Sequence, residues 1–326
     1  MTLRMKPIVS VVTITYNHAP YIRRCIESIL MQKTTFPIEL VIGEDCSTDG
    51  TREIVLDYAK NYPDIIRIIT SETNVGEKAN DRRTRLACQG EFTALCEGDD
   101  YWIDPLKLQK QYDAILKYDA VLVTHRTIYL KYQGNQFIRS IVNQPQEDSG
   151  VLKIEDILLK KFKFHTSSIF FRTKITKEFP EWYYNTPTGL DIPFILLASS
   201  IGKFYFINEI MSVYQNAVTG SWTFEQKKKL SSDVSWRQNF ETAYLEMYRK
   251  FDKFTESRYS KVIQERIQSR IKNYYSKYRN LDFLEISERK KKSIRMIAAI
   301  SRIAPGRLRC KITRKIVEKI TPALFG

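Results

Sequence analysis

The sequence predicts an α/β fold: a mostly parallel, mixed sheet with flanking helices, followed by a helical C-terminal extension. Three observations predict it. Over residues 8–104, β-branched apolar runs alternate with segments whose apolar residues recur at helical spacing, the pattern of parallel strands joined by right-handed crossovers. Polar and acidic clusters punctuate the ends of those runs. The last third reads as helix after helix, rich in Lys, Arg, Glu, Tyr and Ile and almost without glycine.

Taken in order, Ile8 to Thr15 is a nearly continuous β-branched run, the mark of a buried strand. Tyr16 to Pro20 turns the chain, and Ile22, Cys25, Ile26, Ile29 and Leu30 share one helical face. Ile38 to Ile42 is a second strand. It ends in Gly43 to Thr51, where Ser47, Thr48 and Asp49 suit turn and capping roles. Ile54, Val55, Tyr58 and Ala59 face a second helix inward, and Ile65 to Thr70 is a third strand. Asn74-Val75-Gly76 turns into a helix over about 77–89, and Glu91 to Cys96 is the central strand. It stops at Glu97-Gly98-Asp99-Asp100, and a helix follows Asp104-Pro105. Residues 120–142 read as a hairpin, 153–161 as a helix and 168–172 as a strand. A helix opens at 189–193, and 204–207 and 211–214 read as two short strands.

At 326 residues, 43% apolar and 12% aromatic, the chain can bury a large core. Residues 1–223 hold 26 basic and 26 acidic residues, so the whole net charge of +15 falls in 224–326. That asymmetry predicts two domains, 1–223 and 224–326. The five cysteines have no zinc or disulfide-motif spacing, which predicts a reduced, cytoplasmic setting. The histidines His18, His125 and His165 are far apart in sequence, no signal peptide is evident, and no apolar run is long enough to span a bilayer. In the tail, Ile294, Met296, Ile297, Ile300, Ile312, Ile316 and Ile320 recur at helical spacing among Lys and Arg. This suits either a helix on an anionic membrane surface or one packed on the first domain.

In a parallel sheet the polar strand ends Thr15-Tyr16-Asn17, Glu44-Asp45 and Glu97 to Asp100 lie along one edge and can face one cleft. Paired carboxylates such as Asp99 and Asp100 repel unless a cation or solvent takes up their charge, and a hard divalent cation takes oxygen ligands. Asp45 is placed to pair with a base, Tyr16 to wall it, and Arg82 or Arg83 to meet a ribose or phosphate. A plain reading stands beside each: Asp99 or Asp100 as an N-cap, Trp102 as packing, Asp191 as the N-cap of the helix containing Pro193.

Val11 to Asn17, Glu44 to Thr51, Asn74-Val75-Gly76 and Glu97 to Trp102, in that order, resemble the N-terminal half of the family-two inverting glycosyltransferases, over about residues 6–222. The resemblance implies a GT-A nucleotide-sugar-binding fold and Mg2+ or Mn2+ as cofactor. It implies nucleotide contacts from Thr15, Tyr16, Asn17, Glu44, Asp45, Arg82 and Asp99, and metal ligation by Asp99 and Asp100. Asp191 is then the catalytic base, with His165 and Trp102 on the acceptor side. The implied partners are a nucleotide-sugar donor, UDP-sugar favoured, and a glycan or lipid-linked acceptor of cell-surface polysaccharide. The implied location is the cytoplasm or the inner membrane face. Glu44 and Glu97 stand where relatives commonly carry aspartate, and Tyr214-Gln215-Asn216 lacks the arginine and histidine common there. The rival reading is a metal-dependent nuclease or nucleotidyl transferase that binds nucleic acid through the basic tail. Against it, the basic residues are interleaved with apolar ones and no nucleic-acid motif is present.

Overall fold

The computed structural model describes residues 6–133, 136–142, 148–159, 164–216, 222–278, 291, 292 and 295. The chain divides into two compact units, Met1–Asp233 and Val234–Gly326.

The first unit follows the alternation in the sequence. β1 (Val9–Thr15) leads to α1 (Ala19–Leu30), β2 (Ile38–Glu44) to α2 (Thr51–Asn61) and β3 (Ile66–Ile69) to α3 (Glu77–Leu86), and β4 (Phe92–Leu95) follows. These four strands are parallel in the order β3-β2-β1-β4. In α1, Ile22, Cys25, Ile26 and Ile29 all lose their exposure to the core beneath, against Val9, Val11, Leu40 and Ile42. Fully burying one such aliphatic side chain stabilises by about 1.5–3 kcal/mol. Gly43 lets α3 lie close to β2: a Cβ there would collide with Thr84 and Asn80, and Asn80 Nδ2 donates to the Gly43 carbonyl at 2.8 Å.

The chain then continues through β5 (Tyr101–Trp102), α4 (Lys107–Lys117), β6 (Ala120–Gln133), β7 (Gln136–Val142), β8 (Gly150–Leu152), α5 (Ile154–Leu158), β9 (Phe170–Arg172), α6 (Glu181–Tyr184), α7 (Asp191–Ile201), β10 (Lys203–Asn216) and α8 (Trp222–Ser232). The sheet extends from β4 through β9, β6 and β10 to β5. β9 is antiparallel to both β4 and β6, β10 is parallel to β6, and β5 is antiparallel to β10. Parallel pairing thus governs one half of the sheet and mixed pairing the other. β6 and β7 form the expected hairpin. The two strands expected at 204–207 and 211–214 are one strand, β10, whose register shifts around Ile207 and Ile210. An irregularity of this kind breaks the apolar alternation without ending the strand.

In the second unit, α9 (Val234–Phe254) and α10 (Ser260–Tyr278) pack antiparallel. Arg270 pairs with Glu241 at 2.6 Å, and Arg266 Nε donates to the Tyr248 hydroxyl at 3.0 Å. Tyr244, Met247, Tyr248 and Phe251 of α9 and Ile263, Ile267 and Ile271 of α10 are buried. The boundary expected after residue 223 falls inside α8, which is grouped with the first unit. The apolar positions of the segment expected at a membrane surface lie outside the described residues. Among the described residues no helix is long and apolar enough to cross a membrane.

Candidate active site

β1 lies between β2 and β4, so their carboxyl ends meet. Thr15 pairs with Glu44, Asp45 N donates to the Thr15 carbonyl at 3.1 Å, and Gly98 N donates to the Ile14 carbonyl at 3.0 Å. The turn after β4 can approach this closely only because residue 98 is glycine. A Cβ there would stand 2.8 Å from Thr15 Oγ1 and 2.9 Å from His18 Nδ1. Both of those atoms are buried without a partner.

The turn after β1 is tied to the loop after β2. Asn17, at φ 54°, donates its N–H to Ser47 Oγ at 3.0 Å and accepts the Thr48 N–H at 2.9 Å. Asparagine tolerates that left-handed conformation better than most residues. Asp49 accepts from Ala19 N and Thr51 N, the turn and capping role its sequence suits. Tyr16 stands outside this network, 42% exposed.

Glu44 departs from the expected nucleotide contact. Its carboxylate is buried, pairs with Arg52 at 2.6 Å and accepts the Ser47 N–H at 2.7 Å. Burial alone would raise this carboxyl, but the Ser47 bonds and the Arg52 guanidinium outweigh it and hold it below the usual range. Glu44 is therefore a brace for the loop. Asp45 is equally committed within the fold. Its two oxygens accept the Val75 and Gly76 N–H groups, each at 2.9 Å, which fixes the Asn74-Val75-Gly76 turn against β2.

Arg82 and Arg83 of α3 face different ways. Arg83 donates to the Glu44 carbonyl at 2.9 Å and lies 3.5 Å from Asp45. Arg82, the expected nucleotide contact, instead stacks on Tyr184, 4.7 Å from its ring centre. There it lines a cleft of about 250 Å³ with Lys78, Asp81, Asn185 and Leu190. Consecutive helical residues diverge by about 100°, so one side chain of such a pair has to turn away.

Asp99 and Asp100 lie in the turn after β4, 7% and 1% exposed. Gln215 of β10 holds both: its backbone N–H donates to Asp100 Oδ1 at 3.1 Å, and its side-chain amide donates to the Asp99 carbonyl. Asp100 Oδ2 remains buried with no partner. Burial first, and the neighbouring Asp99 second, push the Asp100 carboxyl well up. Glu97 is raised well up by burial and then by Asp81, Glu77, Asp99 and Asp100. A buried carboxylate oxygen without a partner, beside a second carboxylate, fits a hard divalent cation. Among the described residues no three His, Cys, Asp or Glu side chains converge as a complete cage. Two carboxylates leave the other ligand positions to phosphate oxygens and water.

Asp191 is the first residue of α7, exposed and inside the helix. The N-cap is Leu190, with no side-chain cap bond, so Asp191 does not serve as the cap. Tyr129 of β6 links it to the carboxylate pair. Burial, then Asp100 and Asp191, push the Tyr129 phenol up to about 12, so both carboxylates lie within its electrostatic reach. His165 stacks on Tyr214 at 4.2 Å and 21°, and meets the Tyr129 ring edge-on at 4.3 Å. Trp102, expected on the acceptor side, is instead a core residue. It is 1% exposed, its indole N–H donates to the Ser167 carbonyl at 3.0 Å, and the buried Lys107 ammonium sits 3.8 Å from its ring centre.

Tyr129 and the backbone N–H of Gln215 were not among the expected site residues. Tyr129 sits in an ordinary alternating strand, and a backbone donor leaves no mark in sequence.

Comparison with known proteins matches residues 10–179 to the model of glycosyl transferase family 2. An uncharacterized protein of Mycobacterium tuberculosis is 31% identical over 219 residues, which is 65% of this chain and 60% of that relative's length. The chondroitin synthase of Escherichia coli is 28% identical over 235 residues, 71% of this chain and 32% of the synthase. Among solved structures, S. aureus TarS 1-349 in complex with UDP-GlcNAc superposes with a TM-score of 0.61 at 18% identity, covering 90% of this chain and 79% of that one. The central sheet with its flanking helices is the GT-A fold of these enzymes. The chain belongs to glycosyl transferase family 2.

Proposed function

We propose that this protein is a metal-dependent, inverting glycosyltransferase that moves a sugar from a nucleotide diphosphate, UDP favoured, to a hydroxyl of a glycan or lipid-linked acceptor in cell-surface polysaccharide synthesis. The observation that carries this reading is the pair Asp99 and Asp100 at the end of β4, with one buried carboxylate oxygen left for a cation. The base lies against the Asn74-Val75-Gly76 turn that Asp45 shapes, with Tyr16 as its exposed wall. Arg83, not Arg82, supports that end of the site. Asp99 and Asp100 would hold Mg2+ or Mn2+, and the ion, when bound, would offset the charge on the departing diphosphate.

Asp191 takes the proton from the acceptor hydroxyl. Asp191 and Asp100 both lie within electrostatic reach of Tyr129, and a base that deprotonates an acceptor attacking from the face opposite the leaving group gives single displacement and inversion. The exposure of Asp191 lets it meet an acceptor arriving from solvent. His165, half-buried beside Tyr129, lies on the acceptor side. UDP-GlcNAc in the TarS complex and the synthase relative support the donor class and the polysaccharide setting. The basic excess in 224–326 supports a location at an anionic membrane face, where a lipid-linked acceptor would be held. A hydrolysis screen of nucleotide sugars with Mg2+ or Mn2+ tests the reading. Release of the nucleoside diphosphate from one donor, abolished by EDTA, is expected; no turnover of any donor would overturn it.

A further inference from the structure

β10, β6 and β7 run side by side next to the Asp99-Asp100 turn, and their register sorts the side chains. Tyr214 pairs with Tyr129, Tyr129 lies opposite Ile141, and Lys131 lies opposite Arg139. Paired residues share a face, and side chains on one strand alternate between faces. One face therefore carries Tyr214, Tyr129 and Ile141 in a row, with Lys131 and Arg139 in the next row outward. The two tyrosine rings are 4.8 Å apart and both are half-buried; Ile141 is 39% exposed.

The basic row is the unusual feature. Like charges directly opposite each other weaken an antiparallel pair. Among the described residues no carboxylate pairs with Lys131 or Arg139. Their juxtaposition costs stability unless an anion lies between them. The anion site begins two residues from Tyr129, roughly 7 Å along the strand. That is the reach of a single sugar unit lying on the aromatic row.

We propose that this face is an acceptor subsite for an anionic glycan. A sugar of the acceptor stacks over Tyr129, and an oxyanion about one sugar unit away, phosphate or carboxylate, is held by Lys131 and Arg139. The site rests on the glycosyltransferase reading, because Tyr129 is what connects it to Asp100 and Asp191.

The test compares three probes: methyl β-glucoside, methyl β-glucuronide and glucose 1-phosphate. Each is titrated by calorimetry into the full chain with UDP and Mg2+ present, so that the nucleotide site is already filled. One or both charged probes should bind at least about tenfold tighter than the neutral one, as charge-assisted hydrogen bonds require. Which of the two binds tighter identifies the anion as carboxylate or phosphate. Lys131→Gln with Arg139→Gln should erase that preference and its salt dependence, while UDP affinity stays unchanged and the melting temperature does not fall. Lys131→Glu, which pairs with Arg139 instead of repelling it, should do the same in a fold that is no less stable. Equal binding of all three probes to the wild-type chain overturns the proposal, as does a double variant that keeps the preference. Tighter binding of a single-stranded oligonucleotide than of either charged glycoside overturns it in favour of nucleic acid. If UDP does not bind, the nucleotide-sugar reading fails separately, and the probe comparison without UDP still decides this site.

Discussion

Gln215 and Asp100 are 115 positions apart, yet the Gln215 N–H donates to Asp100 Oδ1 at 3.1 Å while Oδ2 of the same carboxylate is buried without a partner. β5 makes this contact possible. It follows the acidic turn directly and pairs Tyr101 and Trp102 with Val213 and Ser212, which carries β10 on to Gln215. One oxygen is fixed by the fold and the other is left for a ligand. For the proposed cation, such an arrangement would offer a preset carboxylate rather than a floppy one.

Gly98→Ala should show how tightly that turn is set. The new Cβ would stand 2.9 Å from Thr15 Cβ and 2.8 Å from Thr15 Oγ1. Overpacking of this kind typically costs about 1–3 kcal/mol. Chemical denaturation should show a loss in that range together with weaker UDP binding. A variant as stable as the wild type would mean that the turn can move aside.

Asp191→Asn keeps the shape of the side chain and removes its ability to take a proton. Turnover should fall about 10²–10⁴-fold, with donor affinity nearly unchanged, in single-turnover and binding measurements. Collapse of donor affinity would make Asp191 a donor-site residue. Unchanged turnover would place the base elsewhere.

Lys107 gives the fold a pH signature. It is fully buried, its ammonium donates to Gln111 at 2.6 Å, and burial lowers it from 10.5 to about 7. Between those two values the unfolded chain holds the extra proton, so this residue makes stability rise with pH, by up to about 1.4 kcal/mol per unit. The cost of the buried charge is fully present below 7. Lys107→Met should remove the rise, so the wild type should gain on the variant between pH 7 and 10 in denaturation curves. A constant difference across that window would contradict the assignment.

Much of the first unit is legible in sequence, because β1 to β4 and their helices obey simple periodicity: Ile22, Cys25, Ile26 and Ile29 mark one helical face, and Asp99-Asp100 marks a strand end. The less legible features depend on partners far away in the chain. Glu44 looks like a ligand residue until Arg52 and Ser47 are seen to occupy it. Trp102 looks like a sugar platform until β10 covers it, and Arg82 cannot be told from Arg83 without knowing which side of α3 meets β2. Tyr129 enters the site only through the pairing of β6 with β10, which spans 85 residues.

The most direct measurement is calorimetric titration of UDP into the wild-type chain and into Asp100→Ala, each with Mn2+ and with EDTA. Tight binding to the wild type with Mn2+, a large loss in EDTA, and the same weak binding by Asp100→Ala under both conditions are expected, with the melting temperature of the variant retained. UDP binding that is equally strong in EDTA, or a variant that still gains affinity from Mn2+, would contradict a metal site at Asp100.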